Sequence, residues 1–214
     1  MFLHALSSFR VIPKNSLGID VGTSSLKVVE LSAWGDRIHL KNYGEIRASV
    51  VYGKPYRSFE RNTLLLASKD IARAVKAIIS ESKMQTKQAI ISIPDFSTFF
   101  TSFDLPPMTK GELPEAIEFE ARKHIPIPLS EVTFDWQIVG RKFDAKKPVR
   151  ILLVAVPNEV VGQYQEVARL AQIELVALEV EVFGLLRSAM REDRRAATLL
   201  DIGAQSTTIS VAYD

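Results

Sequence analysis

The sequence predicts an α/β fold built from two related halves, and three observations carry that expectation. Leu17 to Glu30 reads as an apolar strand, a hydroxyl-rich turn and a second apolar strand. Leu199 to Val211, near the other end, repeats the same grammar of apolar run, Asp-x-Gly, small or hydroxyl residues and alternating strand. Between them, helical periodicity over Ser68 to Ser82 is followed by Ala89 to Ile93, a short apolar run closed by Pro94, as a buried strand of an α/β domain would be.

The repeated hairpins have residue types suited to a phosphate and its metal. Asp20 stands where the first strand ends, so its carboxylate can face Mg²⁺ through water, because that ion gives up its hydration shell reluctantly. Gly22 permits a tight reversal and leaves no Cβ between backbone and ligand. The backbone N–H groups of Thr23, Ser24 and Ser25 can converge on an anion, and Lys27 adds a point charge one pleat further on. Asp-x-Gly-Thr also fits an ordinary hairpin turn. The second copy, Asp201, Gly203, Ala204, Gln205, Ser206 and Thr207, favours two hairpins facing each other across one phosphate chain.

Composition narrows the function classes. With 214 residues, 47% hydrophobic and 24% charged, the chain can bury a large core. Its 27 basic and 25 acidic residues leave a net charge of +2, which gives no broad electrostatic argument for nucleic acid. There is no cysteine for a disulfide or thiolate site, and His4, His39 and His124 show no ligand spacing. No run approaches the roughly 18 apolar residues of a spanning helix. Phe2, Leu3, Leu6 and Phe9 fall at helical spacing without the features of a secretion signal, and read as a frayed terminus ahead of a weak membrane-surface contact.

The remaining elements follow from periodicity and punctuation. Arg37 to Ala48 alternates as a third strand, and Val50 to Arg61, with its Gly and Pro, is expected as a loop. Ile71, Val75, Ile78 and Ile79 share one face of the Ser68 to Ser82 helix, which should cover the sheet. Phe96 to Leu105 alternates aromatic and polar residues without interleaved basic ones, which suits a strand better than a stacking platform for bases. Thr109 to Glu112 has capping-box spacing before a helix ending near His124. Pro114 requires that helix either to start late or to distort its first hydrogen bonds.

Ile125-Pro126-Ile127-Pro128 must be extended, since each residue before a proline is pushed away from helical geometry. Strands over Val132 to Val139 and Val149 to Val156 flank a turn surrounded by Arg141, Lys142, Lys146, Lys147 and Arg150, read as a solvated tip ahead of an anionic-lipid contact. Asn158 is expected to cap a helix carrying Val160, Val161, Tyr164, Val167, Ala168 and Ala171 on one side. A strand from Glu174, a helix through about Arg191 and the second hairpin, Ala196 to Tyr213, complete the chain.

The paired Asp-x-Gly hairpins resemble those of the actin, Hsp70 and sugar-kinase ATPase superfamily, which implies that Asp20 and Asp201 both hold the metal through water. The middle of the chain separates the families that share them. Ser92-Ile93-Pro94-Asp95, Phe103 to Met108, Glu115 to Ile117 with Glu120 to Pro128, and Val154 to Val161 look like the PilM family of type IV pilus assembly proteins, related to the cell-division protein FtsA.

The resemblance implies an actin-like, ribonuclease H-like first lobe over residues 1–94, a small α+β insert over 95–171, a return to the first lobe with a connecting helix over 172–195, and the start of a second lobe over 196–214. It implies ATP and Mg²⁺ as cofactors and a place at the cytoplasmic face of the inner membrane. A groove between first lobe and insert would receive the cytoplasmic N-terminus of a PilN-like protein, itself part of a PilN–PilO complex. Ile125, Pro126, Ile127 and Pro128 are the expected groove-shaping residues. Glu181 matches the glutamate that can position an attacking water, although the proline usual after it is Val182 here.

Members of that family continue beyond the point where this sequence stops, through a Gly-rich adenosine motif. A weak or incomplete nucleotide site and little catalysis are therefore expected, as is a terminal hairpin with an uncovered apolar face. The other function class weighed is a small-molecule, sugar-type kinase. It would need a carboxylate base, for which only Asp95 and Asp104 lie near plausible strand ends, and both are better explained as a turn residue and a strand-end residue.

Overall fold

A computed structural model describes residues 14–34, 37–52, 59–60, 63–64, 67–140, 143–190, 196–204 and 206–212. Strands β1 (Asn15–Val21), β2 (Ser25–Trp34) and β3 (Arg37–Arg47) form an antiparallel meander. Alternation in β1 puts Leu17, Ile19 and Val21 on one face, and all three are buried. Where a loop was expected, the chain forms the one-turn helix α1 (Ala48–Tyr52) and the two-residue strands β4 (Phe59–Glu60) and β5 (Thr63–Leu64), which pair with each other. The turn begins as the backbone N–H of Ala48 bonds the carbonyl of Ser24 at 2.8 Å, tying the end of β3 to the first hairpin.

Helix α2 (Ser68–Glu81) covers that meander with Ile71, Ala74, Val75 and Ile78. It packs so closely that a Cβ on Gly44 of β3 would lie 2.6 Å from Cγ2 of Ile78, so glycine is needed for the approach. Strand β6 (Gln88–Ile93) runs parallel to β1. Its start is fixed from the far side by Glu30, a fully buried carboxylate that accepts the backbone N–H groups of Gln85 and Thr86, each at 3.0 Å, and the Asn42 amide at 2.9 Å. Burial alone would raise its pKa. Those hydrogen bonds, with Lys41 at 4.0 Å, outweigh burial and leave it below the usual carboxylate range.

After a 3-10 turn at Asp95–Ser97 the chain enters a second, three-stranded antiparallel sheet. It consists of β7 (Phe99–Leu105), β8 (Val132–Val139) and β9 (Val149–Pro157), with β9 central. Helix α3 (Leu113–His124) covers one face with Leu113, Ile117 and Ala121. The capping-box residues are in contact, Glu112 accepting from both the backbone N–H and the hydroxyl of Thr109 at 2.7 Å. The helix nevertheless starts after Glu112, so Pro114 falls in its first turn, where the missing N–H costs nothing.

Helix α4 (Asn158–Ala171) buries the six residues picked out by periodicity. One expectation about it needs correction. Asn158 does not cap it; the cap position is Pro157, and the Asn158 side chain instead donates to the carbonyl of Ser130 at 3.0 Å and accepts from the Thr133 hydroxyl at 2.8 Å. The apolar side of α4 sits in the larger core with α2, β6 and Val154 and Val156 of β9.

Strand β10 (Glu174–Val180) then adds parallel to β6, giving the five-stranded order β10-β6-β1-β2-β3. Helix α5 (Glu181–Met190) follows without a break. The last elements, β11 (Ala197–Ile202) and β12 (Thr207–Ala212), pair only with each other among the described residues. Leu200, Ile202, Ile209 and Val211 share one face of this hairpin and are 53%, 73%, 66% and 65% exposed, matching the expected uncovered apolar surface.

Candidate functional site

The two repeated motifs form the same turn. Gly22 N–H donates to the Ser25 carbonyl at 3.0 Å, and Gly203 N–H to the Ser206 carbonyl at 2.9 Å. A Cβ would come within 2.9 Å of the Ser25 oxygen at Gly22, which excludes a side chain there, and 3.0 Å of the Ser206 oxygen at Gly203, a contact tight enough to favour glycine. Asp20 and Asp201 are each the penultimate residue of the strand leading in, opposite Lys27 and Thr208 respectively. Thr23 and Ser24 lie in the first turn and Ser25 begins β2, whereas Ala204 and Ser206 lie in the second turn and Thr207 begins β12. Gln205 lies outside the described residues.

Chain topology brings these ends to one place. Strands β1 and β6 run parallel, so Asp20 and Ser92 are neighbours at their C-terminal ends, and the Ser92 hydroxyl donates to Asp20 Oδ1 at 3.0 Å. Lys27 Nζ lies 4.0 Å from Asp20 Oδ2. Glu181 starts α5 directly after β10, and it stands in the field of Asp20, Asp201 and Asp95. Burial first, then those three carboxylates in turn, push its pKa up to about 7, with Lys27 offsetting part of the effect. Glu179, two residues earlier, has a different fate, paired with Arg187 on α5.

Asp95 and Tyr164 were not singled out from sequence as site residues. Asp95 read as a turn residue, yet its Oδ1 accepts the backbone N–H of Val182 at 3.1 Å and so holds the start of α5. Burial raises its pKa, a rise that the Val182 bond opposes and Asp201 adds to. Tyr164 read as one more core residue on α4. Its ring is fully buried, but its hydroxyl has no hydrogen-bond partner among the described residues, and burial together with the charges of Asp20 and Glu181 raises its pKa. A hydroxyl on an otherwise apolar helical face was the available signal.

Carboxylates on four separate elements, with one lysine beside them, form an oxygen-rich, net negative cluster whose chemistry suits a hard, hydrated dication rather than a soft metal. Among the described residues no three His, Cys, Asp or Glu side chains form a direct ligand set. The expected groove segment lies elsewhere, between α3 and β8. Ile125 is extended at φ −94°, ψ 121° and buried, and Ile127 packs on the same small core. Pro126 and Pro128 are thereby left at the surface.

An α/β core with two matched Asp-x-Gly hairpins at one edge defines an actin-like ATPase fold. The family description "Type IV pilus assembly protein PilM" matches residues 18–214, and the chain belongs to that family. Among solved structures, it is similar to a chain of a PilM–PilN type IV pilus biogenesis complex at 24% identity and TM-score 0.77, with 93% of this chain and 58% of that one covered. It is also similar to the cytoplasmic domain of EpsL, an inner-membrane component of the Vibrio cholerae type II secretion system, at 11% identity and TM-score 0.57, covering 92% of this chain and 71% of that one. The ethanolamine utilization protein EutJ of Carboxydothermus hydrogenoformans matches at 14% identity and TM-score 0.50, covering 95% and 49%. The chain thus spans 58% of the length of the matched chain of that PilM–PilN complex.

Proposed function

We propose that this chain is an adaptor of type IV pilus assembly that receives the cytoplasmic N-terminal segment of a PilN-like inner-membrane protein. The observation that carries the reading is the PilM family match over residues 18–214. A solved relative of the same fold comes from a PilM–PilN complex, which supports a PilN-like partner here. The PilN–PilO complex would then link the adaptor to the rest of the machine at the cytoplasmic face of the membrane. Among the described residues no helix is long and apolar enough to cross a membrane, and attachment through a partner is consistent with that.

The subdomains in this reading are a first lobe of residues 1–94, an insert of 95–171, a return to the first lobe with a connecting helix over 172–195, and the beginning of a second lobe at 196–214. The proposed groove lies between first lobe and insert, with Ile125, Pro126, Ile127 and Pro128 shaping its insert side. Two fixed proline φ angles lower the entropy lost when an extended peptide docks. The phosphates of ATP would be received by Gly22, Thr23, Ser24, Ser25 and Lys27 on one hairpin and by Gly203, Ala204, Gln205, Ser206 and Thr207 on the other. Asp20 and Asp201 would hold Mg²⁺ through its water shell, and Glu181 would orient a water. A kinase is the weaker reading. Asp104 is paired with Arg150 through two hydrogen bonds of 2.9 and 2.8 Å, and Asp95 is committed to the start of α5.

Co-expression of this chain with the full-length PilN-like protein, followed by detergent extraction and affinity capture, tests the adaptor role. Retention of the partner, reduced by deleting its cytoplasmic N-terminal residues, is expected. Equal capture with and without those residues would contradict the reading.

A further inference from the structure

The outer strands of the two larger sheets are β3 and β10 in one and β7 and β8 in the other. An outer strand offers unpaired backbone N–H and C=O groups to any extended chain, and folded proteins blunt it with charge, bulges or local capping. Here β3, β8 and β10 are blunted. Strand β3 carries Arg37, His39, Lys41, Glu45 and Arg47, with a break in register against Glu30 and Leu31. Strand β10 breaks register between Leu175 and Ala177. In β8 the Asp135 carboxylate folds back to accept the Trp136 N–H at 2.9 Å. The first half of β7, Phe99-Phe100-Thr101-Ser102, has no charge, proline or glycine and pairs with β9 in unbroken register. Among the described residues no strand pairs with its outer side.

That half-strand is held beside α5. Asp95, in the turn leading into β7, accepts the Val182 N–H, and the rings of Phe100 and Phe183 meet edge to face with centroids 6.1 Å apart. Phe100 is nevertheless 49% exposed, whereas Phe103 and Leu105, further along the strand, are buried in the small core with α3. A free backbone edge next to an exposed ring is what strand addition uses, the main chain supplying affinity and alternate side chains specificity. We propose that the N-terminal segment of the membrane partner docks as an added strand along Phe99 to Ser102, with an apolar side chain against Phe100 and Phe183. This rests on the adaptor reading given above and names how the groove holds its ligand. The docked stretch is extended and uncharged, because a charge laid along an edge that has none would lose water without gaining a counter-ion. Pro126 and Pro128 have no N–H to donate, so β7 supplies main-chain partners that they cannot.

The test is titration of the 214-residue chain with a synthetic peptide copying the cytoplasmic N-terminus of a PilN-like protein, and with the same peptide N-methylated at one backbone position at a time. Methylation removes a donor and obstructs a ladder while leaving every side chain in place. Successive N–H groups of a strand point to opposite sides, so methylation at alternate positions should weaken binding about tenfold, the scale of one lost hydrogen bond, and the positions between them should tolerate it. Phe100→Ala should weaken binding by about tenfold as well, as loss of an aromatic anchor does, with little change in melting temperature because the ring is half exposed. Amide exchange followed by NMR gives a readout that needs no variant. Alternate amides within Phe99 to Ser102 should slow when the peptide is bound. Binding that tolerates methylation at every position and leaves the β7 amides unaltered, or that slows amides of β3, β8 or β10 instead, would overturn this inference while leaving the adaptor reading in place. Failure of the unmodified, folded chain to bind the unmodified peptide would overturn both.

Discussion

The carboxylate of Asp95 accepts the backbone N–H of Val182 at 3.1 Å, joining the entry of the second sheet to the first turn of α5. It acts as a helix cap supplied from a residue 87 positions away in sequence. The same carboxylate raises the pKa of the adjacent Glu181.

Two substitutions separate those roles. Asp95→Asn keeps an oxygen acceptor and removes the charge, so stability should change little while the Glu181 midpoint falls below about 7. Asp95→Ala also removes the acceptor, and should cost a further ~0.5–2 kcal/mol as the loss of a cap does. Carbon-13 NMR of the glutamate carboxyls and denaturant titrations measure the two effects.

Glu181 makes the metal-free protein more stable in mild acid. Its folded pKa is raised from 4.5 to about 7, so the folded state holds the proton more tightly than the unfolded chain. That contribution is full below about pH 4.5 and is lost as pH rises through about 7. Denaturation midpoints in chelator-treated protein should therefore decline across this window, and Glu181→Gln should flatten the decline. A profile identical to that of the unmodified chain would contradict the clustering of carboxylates at the site.

Glu30 has the opposite sign. Its pKa is lowered in the folded state, so its contribution is present above the ordinary value of 4.5 and is lost as pH falls through its depressed folded value. Glu30→Ala leaves the N–H groups of Gln85 and Thr86 without their acceptor. A loss of about 2–4 kcal/mol is expected from two stranded donors, read by urea denaturation, with greater hydrogen exchange at those two amides.

Legibility in the sequence followed the range of the interaction. Strand alternation and helix periodicity are local, which is why Ile71, Val75 and Ile78 on α2 and all six buried residues of α4 could be named in advance. The two hairpins were legible because their turns favour glycine and repeat. The partner of α4 was not, since an apolar face does not say which of two cores it will join. Nor were the partners of Asn158, Asp95 and Glu30, whose hydrogen bonds span 28, 87 and 56 residues and depend on the tertiary fold.

The adaptor reading is tested most directly by titrating this chain with a synthetic peptide copying the cytoplasmic N-terminus of a PilN-like protein, followed by calorimetry or fluorescence anisotropy. The account predicts saturable one-to-one binding that a scrambled peptide does not reproduce and that Pro126→Ala/Pro128→Ala weakens several-fold while the fold is retained. No saturable binding by the unmodified, folded chain would contradict it.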